Sequence, residues 1–283
     1  MPARTQPTAR QVRLGGELRK LREAAGLSSG DAAGLLGVAP AQMSQMEAGN
    51  VGISAERVRR LASHYACPDG ELVDALADMA ADRTRGWWAE YRGILPPGFL
   101  DLAELEHHAR YLWEIGTTHV PGLLQTEDYA RAVFSYRVPE LPGSELGPRV
   151  EHRMRRKVVI QREAAVEYEA VVHESVLRTR VADRRVARAQ LDELLRQSEH
   201  PHVTVRVIPF DADGFAGASA ALLYAGGPVP GLDTVRRDAP YGAVFLDAAS
   251  QLLAMRTLFR KVESAALTAT LSQDYMHRLA KEL

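Results

Sequence analysis

Apolar residues recur with a helical period through the first 82 residues of the chain. Leu14, Leu18, Leu21 and Ala25 stand at i, i+4, i+7 and i+11, which predicts one amphipathic helix. Gly26 follows, where a left-handed helix end favours glycine. Ser28, with Asp31 three residues on, has the spacing of a capping box and opens a second short helix that stops at Gly37. A third begins around Pro40, a residue tolerated at the first helical position, and ends at Gly49-Asn50. Ser54 caps a fourth, with Val58, Leu61, Ala62 and Tyr65 along one face. Pro68-Asp69 breaks it, and a fifth spans 70–81. These five short helices predict an all-α domain over 13–82, preceded by a flexible arm, 1–12, that holds Pro2 and Pro7.

After Thr84 the pattern changes. "RGWWAEYRGILPPGFLDL" is aromatic and proline-rich and reads as a docking linker over 83–100. In the remainder, 101–283, a helix is expected at 101–109. Tyr111, Trp113 and Ile115 then alternate with Leu112 and Glu114, which suggests a strand. Pro121-Gly122 suits a type II turn, and Thr126 suits the cap of a helix over 127–136. A basic helix over 145–162 follows. Further strands are expected in "AVEYEAVVH", "VTVRVIPF", "SAALLYA" and "AVFLD", with a helix at 186–198 between the first two, and closing helices at 250–263 and 272–282. The pattern predicts an α+β domain with a small, largely antiparallel sheet that one helix interrupts.

Composition narrows the chemistry. Cys67 is the single cysteine, which rules out an intramolecular disulfide and any multi-thiolate zinc site. No run of about 18 apolar residues is present, and "MPARTQPTARQVR" has no apolar core, so neither a membrane helix nor a secretory signal is expected and the protein is read as cytoplasmic. His107-His108, His173-Glu174-Ser175 and His200-Pro201-His202 are scattered, and the glycines at 30, 34 and 37 lack the preceding strand of a phosphate cradle. The sequence therefore predicts no catalytic residues, metal site or cofactor. Charge adds a positive hint: residues 1–65 hold nine Arg/Lys against five Asp/Glu, whereas the rest of the chain is mildly acidic. A basic head on an acidic body suits a nucleic-acid contact at the head.

The second and third helices have the layout of a helix-turn-helix, whose last helix enters the major groove. Ala33, Gly34 and Gly37 supply small residues for a tight crossing. Leu36, Val38, Met43 and Met46 form the inner face. Ala41, Gln42, Ser44 and Gln45 then face outward as base-reading candidates, since glutamine pairs bidentately with adenine. Ser28, Ser29 and the backbone N–H groups beside them are candidates for holding phosphate, with Arg57 and Arg59 adding electrostatic attraction.

"LGGELRKLREAAGLSSGDAAGLLGVAPAQMSQMEAG" resembles the repressor-type helix-turn-helix regulators of the xenobiotic-response-element family, over residues 14–65. That resemblance implies a structural ion pair between Arg22 and Glu47, and a homodimer on double-stranded DNA with two half-sites. Two positions depart from the family: Ser29 stands where glutamine is usual, and Ala39-Pro40 replace a hydroxyl cap and the following glutamine. The fold tolerates both, but the second removes a cap worth about 1 kcal/mol.

"GWWAEYRGILPPGF", "VPGLLQTEDYARAV", the basic helix and "HVTVRVIPF" resemble the actinobacterial WhiJ-like regulators, which are antitoxin-like, across nearly the whole chain. The family commonly carries an apolar strand near 233–238, where this chain reads "DTVRRD". The resemblance implies transcriptional regulation and a small acidic partner protein, encoded nearby, docking on the C-terminal domain. From the residues alone, "VPGLLQTEDYARA" is a structural corner or part of a groove for a partner or small-molecule ligand, lined by Trp87, Trp88 and Tyr91 with Arg153 and Arg156 of the basic helix. In that helix Val150, Met154 and Val158 run down one side, and Arg149, Arg153, Arg156 and Lys157, which occupy much of the rest, suit a solvated face, an acidic partner or extra phosphate contacts.

Overall fold

The computed structural model describes residues 6–82, 84–218, 221–239 and 242–283. The chain forms two compact units, Met1–Ala89 and Glu90–Leu283, with the boundary inside the segment read as a linker.

The first unit is helical: α1 (Ala9–Ala24), α2 (Ser29–Leu36), α3 (Pro40–Glu47), α4 (Ala55–His64) and α5 (Gly70–Ala81). The first helix starts inside the stretch expected as an arm, because Thr8 and Gln11 form a capping box: the Thr8 hydroxyl accepts from the Gln11 backbone N–H, and the Gln11 side-chain oxygen accepts from the Thr8 backbone N–H. Residues 1–5 of that arm lie outside the described residues. Ser28 with Asp31 makes the same box on α2, and Ser54 and Asp69 cap α4 and α5. The amphipathic faces meet in a core of Leu18, Met43, Met46, Val58, Leu61 and Leu76. Of the small residues expected where α2 and α3 cross, Ala33 is buried. Gly34 faces open space, and Gly37 serves as the left-handed end of α2. A further close approach, of α1 to α3, occurs at Gly15.

The second unit contains α6 (Pro97–His108), β1 (Tyr111–Gly116), α7 (Glu127–Ser135), α8 (Gly143–Arg156), α9 (Val158–Gln161), β2 (Glu167–His173), α10 (Glu174–Arg178), α11 (Arg184–Gln197), β3 (Val203–Ile208), β4 (Leu222–Gly226), β5 (Thr234–Ala239), β6 (Gly242–Leu246), α12 (Ala249–Ser264) and α13 (Ala269–Glu282). Its six strands run in the order β3-β2-β1-β4-β5-β6. The sheet is mixed rather than largely antiparallel: β1 pairs parallel with β2 and β2 with β3, while β4, β5 and β6 join antiparallel. The reason lies in the connections. Three helices separate β1 from β2 and two separate β2 from β3, and crossovers of that length return the chain in the same direction.

More helices form than the sequence reading assigned: the expected 145–162 helix breaks at Lys157 into α8 and α9, and a short α10 follows His173, whose ring caps it. The segment "TVRRDA" forms β5 despite its charges, because both edges are hydrogen-bonded and Val235 is buried. Pro121-Gly122 begins a 3-10 turn instead of a type II turn, and Gly122 keeps a negative φ. One sheet face packs Leu112, Tyr168, Val172 and Leu223 against helical residues such as Leu191, Leu194 and Met276. The opposite face packs Ile115, Tyr224 and Val235 against Leu252 and Phe259 of α12. Among the described residues, no helix is long and apolar enough to cross a membrane.

Candidate nucleic-acid interface

Helix α3 is short, and its amphipathic split decides what it offers. Met43 and Met46 are buried, whereas Ala41, Gln42, Ser44 and Gln45 are exposed on the opposite side. Pro40 occupies its first turn, and Ala39 makes no side-chain capping bond. The exposed stripe thus carries two primary amides and one hydroxyl. Ser44 Oγ lies 3.3 Å from Ser29 Oγ, a hydrogen bond that ties the start of α2 to the face of α3.

The far end of α3 is held by charge and by close packing. The Arg22 guanidinium donates to both carboxylate oxygens of Glu47, at 2.7 and 2.9 Å, and to the Leu27 carbonyl at 2.8 Å. Both side chains are more than nine-tenths buried. The hydrogen bond to Glu47 raises the Arg22 pKa further, and burial with the nearby Glu47 charge pushes the Tyr65 hydroxyl up to about 12. Such a pair fixes geometry more than it adds net stability. Beside it, a Cβ on Gly15 would come within 2.5 Å of the Glu47 carbonyl oxygen and 2.6 Å of that of Met46. A Cβ on Gly49, at φ +76°, would come within 2.8 Å of the backbone of Gln11. The sequence reading passed over Gly15. Its signal was a glycine in mid-helix, which costs about 1 kcal/mol unless close packing requires it.

The phosphate candidates differ in what they have free. The Ser28 hydroxyl is engaged with Asp31, accepting from its amide and donating to its carboxylate at 2.6 Å. Hydrogen bonds from Ser28 hold the Asp31 carboxyl below its usual range, so a negative charge stands at this helix start. Arg57 is exposed on the first turn of α4, and Arg59 makes an exposed pair with Asp74 at 3.0 Å.

In the second unit part of the basic helix is enclosed rather than solvated. Arg149, His152 and Arg156 are 3%, 1% and 5% exposed, beside Val150 at 2%, while Val158 is 41% exposed. Arg156 makes a bidentate pair with the buried Glu106 of α6, at 2.8 and 2.5 Å. Arg149 pairs with Glu145 and lies over the Phe99 ring, 5.3 Å from its centroid. Arg153 donates to the Gln125 side-chain carbonyl at 2.6 Å and lies 4.8 Å from the Phe134 centroid. Burial, reinforced by Arg156 and its neighbours, pushes the His152 pKa down to about 3.

The five residues expected to line a groove are divided. Trp87 and Trp88 stack edge to face in the first unit. Tyr91, Arg153 and Arg156 belong to the second, where Tyr91 packs edge-on against His152 and Arg156 is enclosed by its pairing with Glu106.

Residues 13–76 match the model of a helix-turn-helix domain. Residues 99–278 match that of a domain of unknown function, DUF5753. No curated protein and no solved structure matches the chain. With the second match spanning more than half its length, the protein belongs to the DUF5753 family and carries a helix-turn-helix domain ahead of the domain that defines that family.

Proposed function

We propose that this protein is a sequence-specific, DNA-binding transcriptional regulator that acts in the cytoplasm as a homodimer on an operator of two half-sites. The observation that carries the reading is the exposed Gln42–Gln45 face of α3, mounted on a helix whose far end is pinned by the Arg22–Glu47 pair. Gln42 and Gln45 read adenine edges, and Ser44 assists from its bond with Ser29. Ala41 and the missing cap at Ala39 leave few groups on the reading face, so pairing of two copies supplies affinity that one head lacks. Arg57, more than the paired Arg59, adds phosphate attraction. The test is selection of a preferred sequence from random duplexes, followed by titration of the selected site. No enrichment over random DNA would sink the proposal.

The DUF5753 domain is the part that receives the regulatory input. Resemblance to the WhiJ-like regulators makes that input a small acidic protein, and co-purification of such a protein, expressed from a neighbouring reading frame, is the check. A second reading, a small-molecule ligand, is favoured by one observation: Arg149 and Arg156 of α8, which an acidic partner would meet on the surface, are buried in the domain.

A further inference from the structure

The two edges of the six-stranded sheet are finished differently. At the β3 edge the chain seals its own backbone. The Ser272 hydroxyl accepts from the Val207 amide at 2.9 Å, and the Val207 carbonyl accepts from the Leu267 amide at 2.9 Å. Helix α13 lies along that strand, with Met276 and Leu279 in the same core as Val205 and Val207. The β6 edge is open. Gly242–Leu246 pairs with β5, and no further hydrogen bond reaches it among the described residues. Alternate residues of such a strand turn their N–H and C=O groups away from the sheet. Proteins normally guard an open edge with lysine, proline or a bulge. "GAVFL" carries no charge and no proline, and its register with β5 runs unbroken from Ala239↔Gly242 to Val235↔Leu246.

Side chains extend this edge into an apolar strip. Leu246 joins the core on the α12 face, so Val244, two residues back, stands on that face too, and it is 46% exposed. Helix α12 crosses the same face from one side of the sheet to the other. Arg256 reaches Tyr224 of β4, Arg260 lies over Trp113 of β1, and Glu263 pairs with Arg206 of β3. The start of α12 therefore lies towards β6, and there Leu253 is 65% exposed.

We propose that β6 pairs antiparallel with β6 of a second copy of this chain, about a two-fold axis at Val244. The pairing rests on the homodimer reading of this protein and gives that dimer its interface. Three features select a second copy as the occupant. A two-fold axis perpendicular to a sheet sets identical edge strands antiparallel, and a five-residue strand overlaps its copy fully when centred on its middle residue, Val244. A strand without charge meets no like charge in its own copy. With the β3 edge sealed, each sheet can pair once, so association closes at two chains and does not run on into a filament.

The test is sedimentation of the full chain over a range of concentrations, where a monomer–dimer equilibrium is expected. Val244→Lys sets two ammonium groups against each other at the axis and should raise the dissociation constant at least about tenfold. Leu253→Lys should raise it less. Oxidation of Val244→Cys in a Cys67→Ser background should trap a covalent dimer, since residues directly opposite in an antiparallel pair lie within disulfide reach. Hydrogen exchange of the unmodified chain supplies a readout that does not depend on the variants folding: amides within 242–246 should slow as concentration rises. A dimer that tolerates Val244→Lys and shows no such slowing overturns the edge pairing and leaves the homodimer reading standing. A monomer at every concentration overturns both, and a species larger than the dimer overturns the closed pairing.

Discussion

Helices α3 and α8 are both amphipathic, yet they turn different chemistry to the interior. Helix α3 hides two methionines and shows amides and a hydroxyl. Helix α8 hides Arg149, His152 and Arg156 and satisfies them with Glu145, Glu106 and aromatic faces. Residues 149, 152, 153 and 156 follow the i, i+3, i+4, i+7 spacing that normally marks a core stripe. The lesson concerns polarity: charge normally faces water, which places these arginines on a solvated face, whereas Arg149 and Arg156 turn inward. Arginine makes this arrangement workable, since its long apolar stem packs like a hydrocarbon and its planar head matches a carboxylate. The reading head is built for an external partner, whereas α8 is built around internal ones.

That contrast is breakable in order of effect. The largest loss is expected from Glu106→Ala, which strands Arg156 in the interior and should cost the second unit about 3–5 kcal/mol in denaturant unfolding. A loss under 1 kcal/mol would mean that water replaces the carboxylate and that α8 is less enclosed than described.

Acid is the next probe. His152 has its pKa held down to about 3 against an ordinary 6.5, so between these values the unfolded chain binds a proton that the folded chain refuses. Stability therefore falls as pH falls through that window, by about 1.4 kcal/mol per pH unit for one such group. Calorimetry should show the second unit melting earlier on acidification and His152→Leu flattening that slope; an unchanged slope refutes the assignment.

Within the first unit, Gly15→Ala should destabilise by about 1–3 kcal/mol, because its Cβ meets backbone that must shift. Operator affinity should fall with it, and unchanged thermal unfolding would contradict the close α1–α3 packing. Gln45→Ala should cost about 1–3 kcal/mol in binding to a selected operator and relax specificity at one base pair, with folding stability changed by less than about 0.5 kcal/mol. Uniform weakening across all sequences would reassign Gln45 to a backbone contact. The smallest effect is a gain: Ala39→Ser restores a capping oxygen and should stabilise the first unit by about 1 kcal/mol in thermal melts.

The helical domain was legible almost residue by residue, because each boundary carries its own local chemistry: Ser28 and Asp31, Gly37, Pro40, Ser54. Its start was misread because Thr8-x-x-Gln11, an equally local signal, lay inside a stretch judged by its prolines. The sheet was less legible. Five of its strands show apolar runs or alternation in the sequence, but direction is set by crossover length, and β5 draws its stability from neighbours on both sides rather than from "TVRRDA". For the candidate interface, helical spacing alone separated Gln42 and Gln45 from Met43 and Met46. It did not show that Ser28 is engaged by Asp31, or that Arg236 comes abreast of Glu114, a juxtaposition of residues more than a hundred positions apart.

Bare backbone at Gly15 has a practical corollary for redesign. Anyone grafting α3 into another scaffold to move its sequence preference would be transplanting half of a joint. The socket belongs to α1, and a host with any side chain at that point would tilt the graft before it met a base pair. Gly15 and Arg22 travel with α3 as one cassette, although neither lies on its reading face.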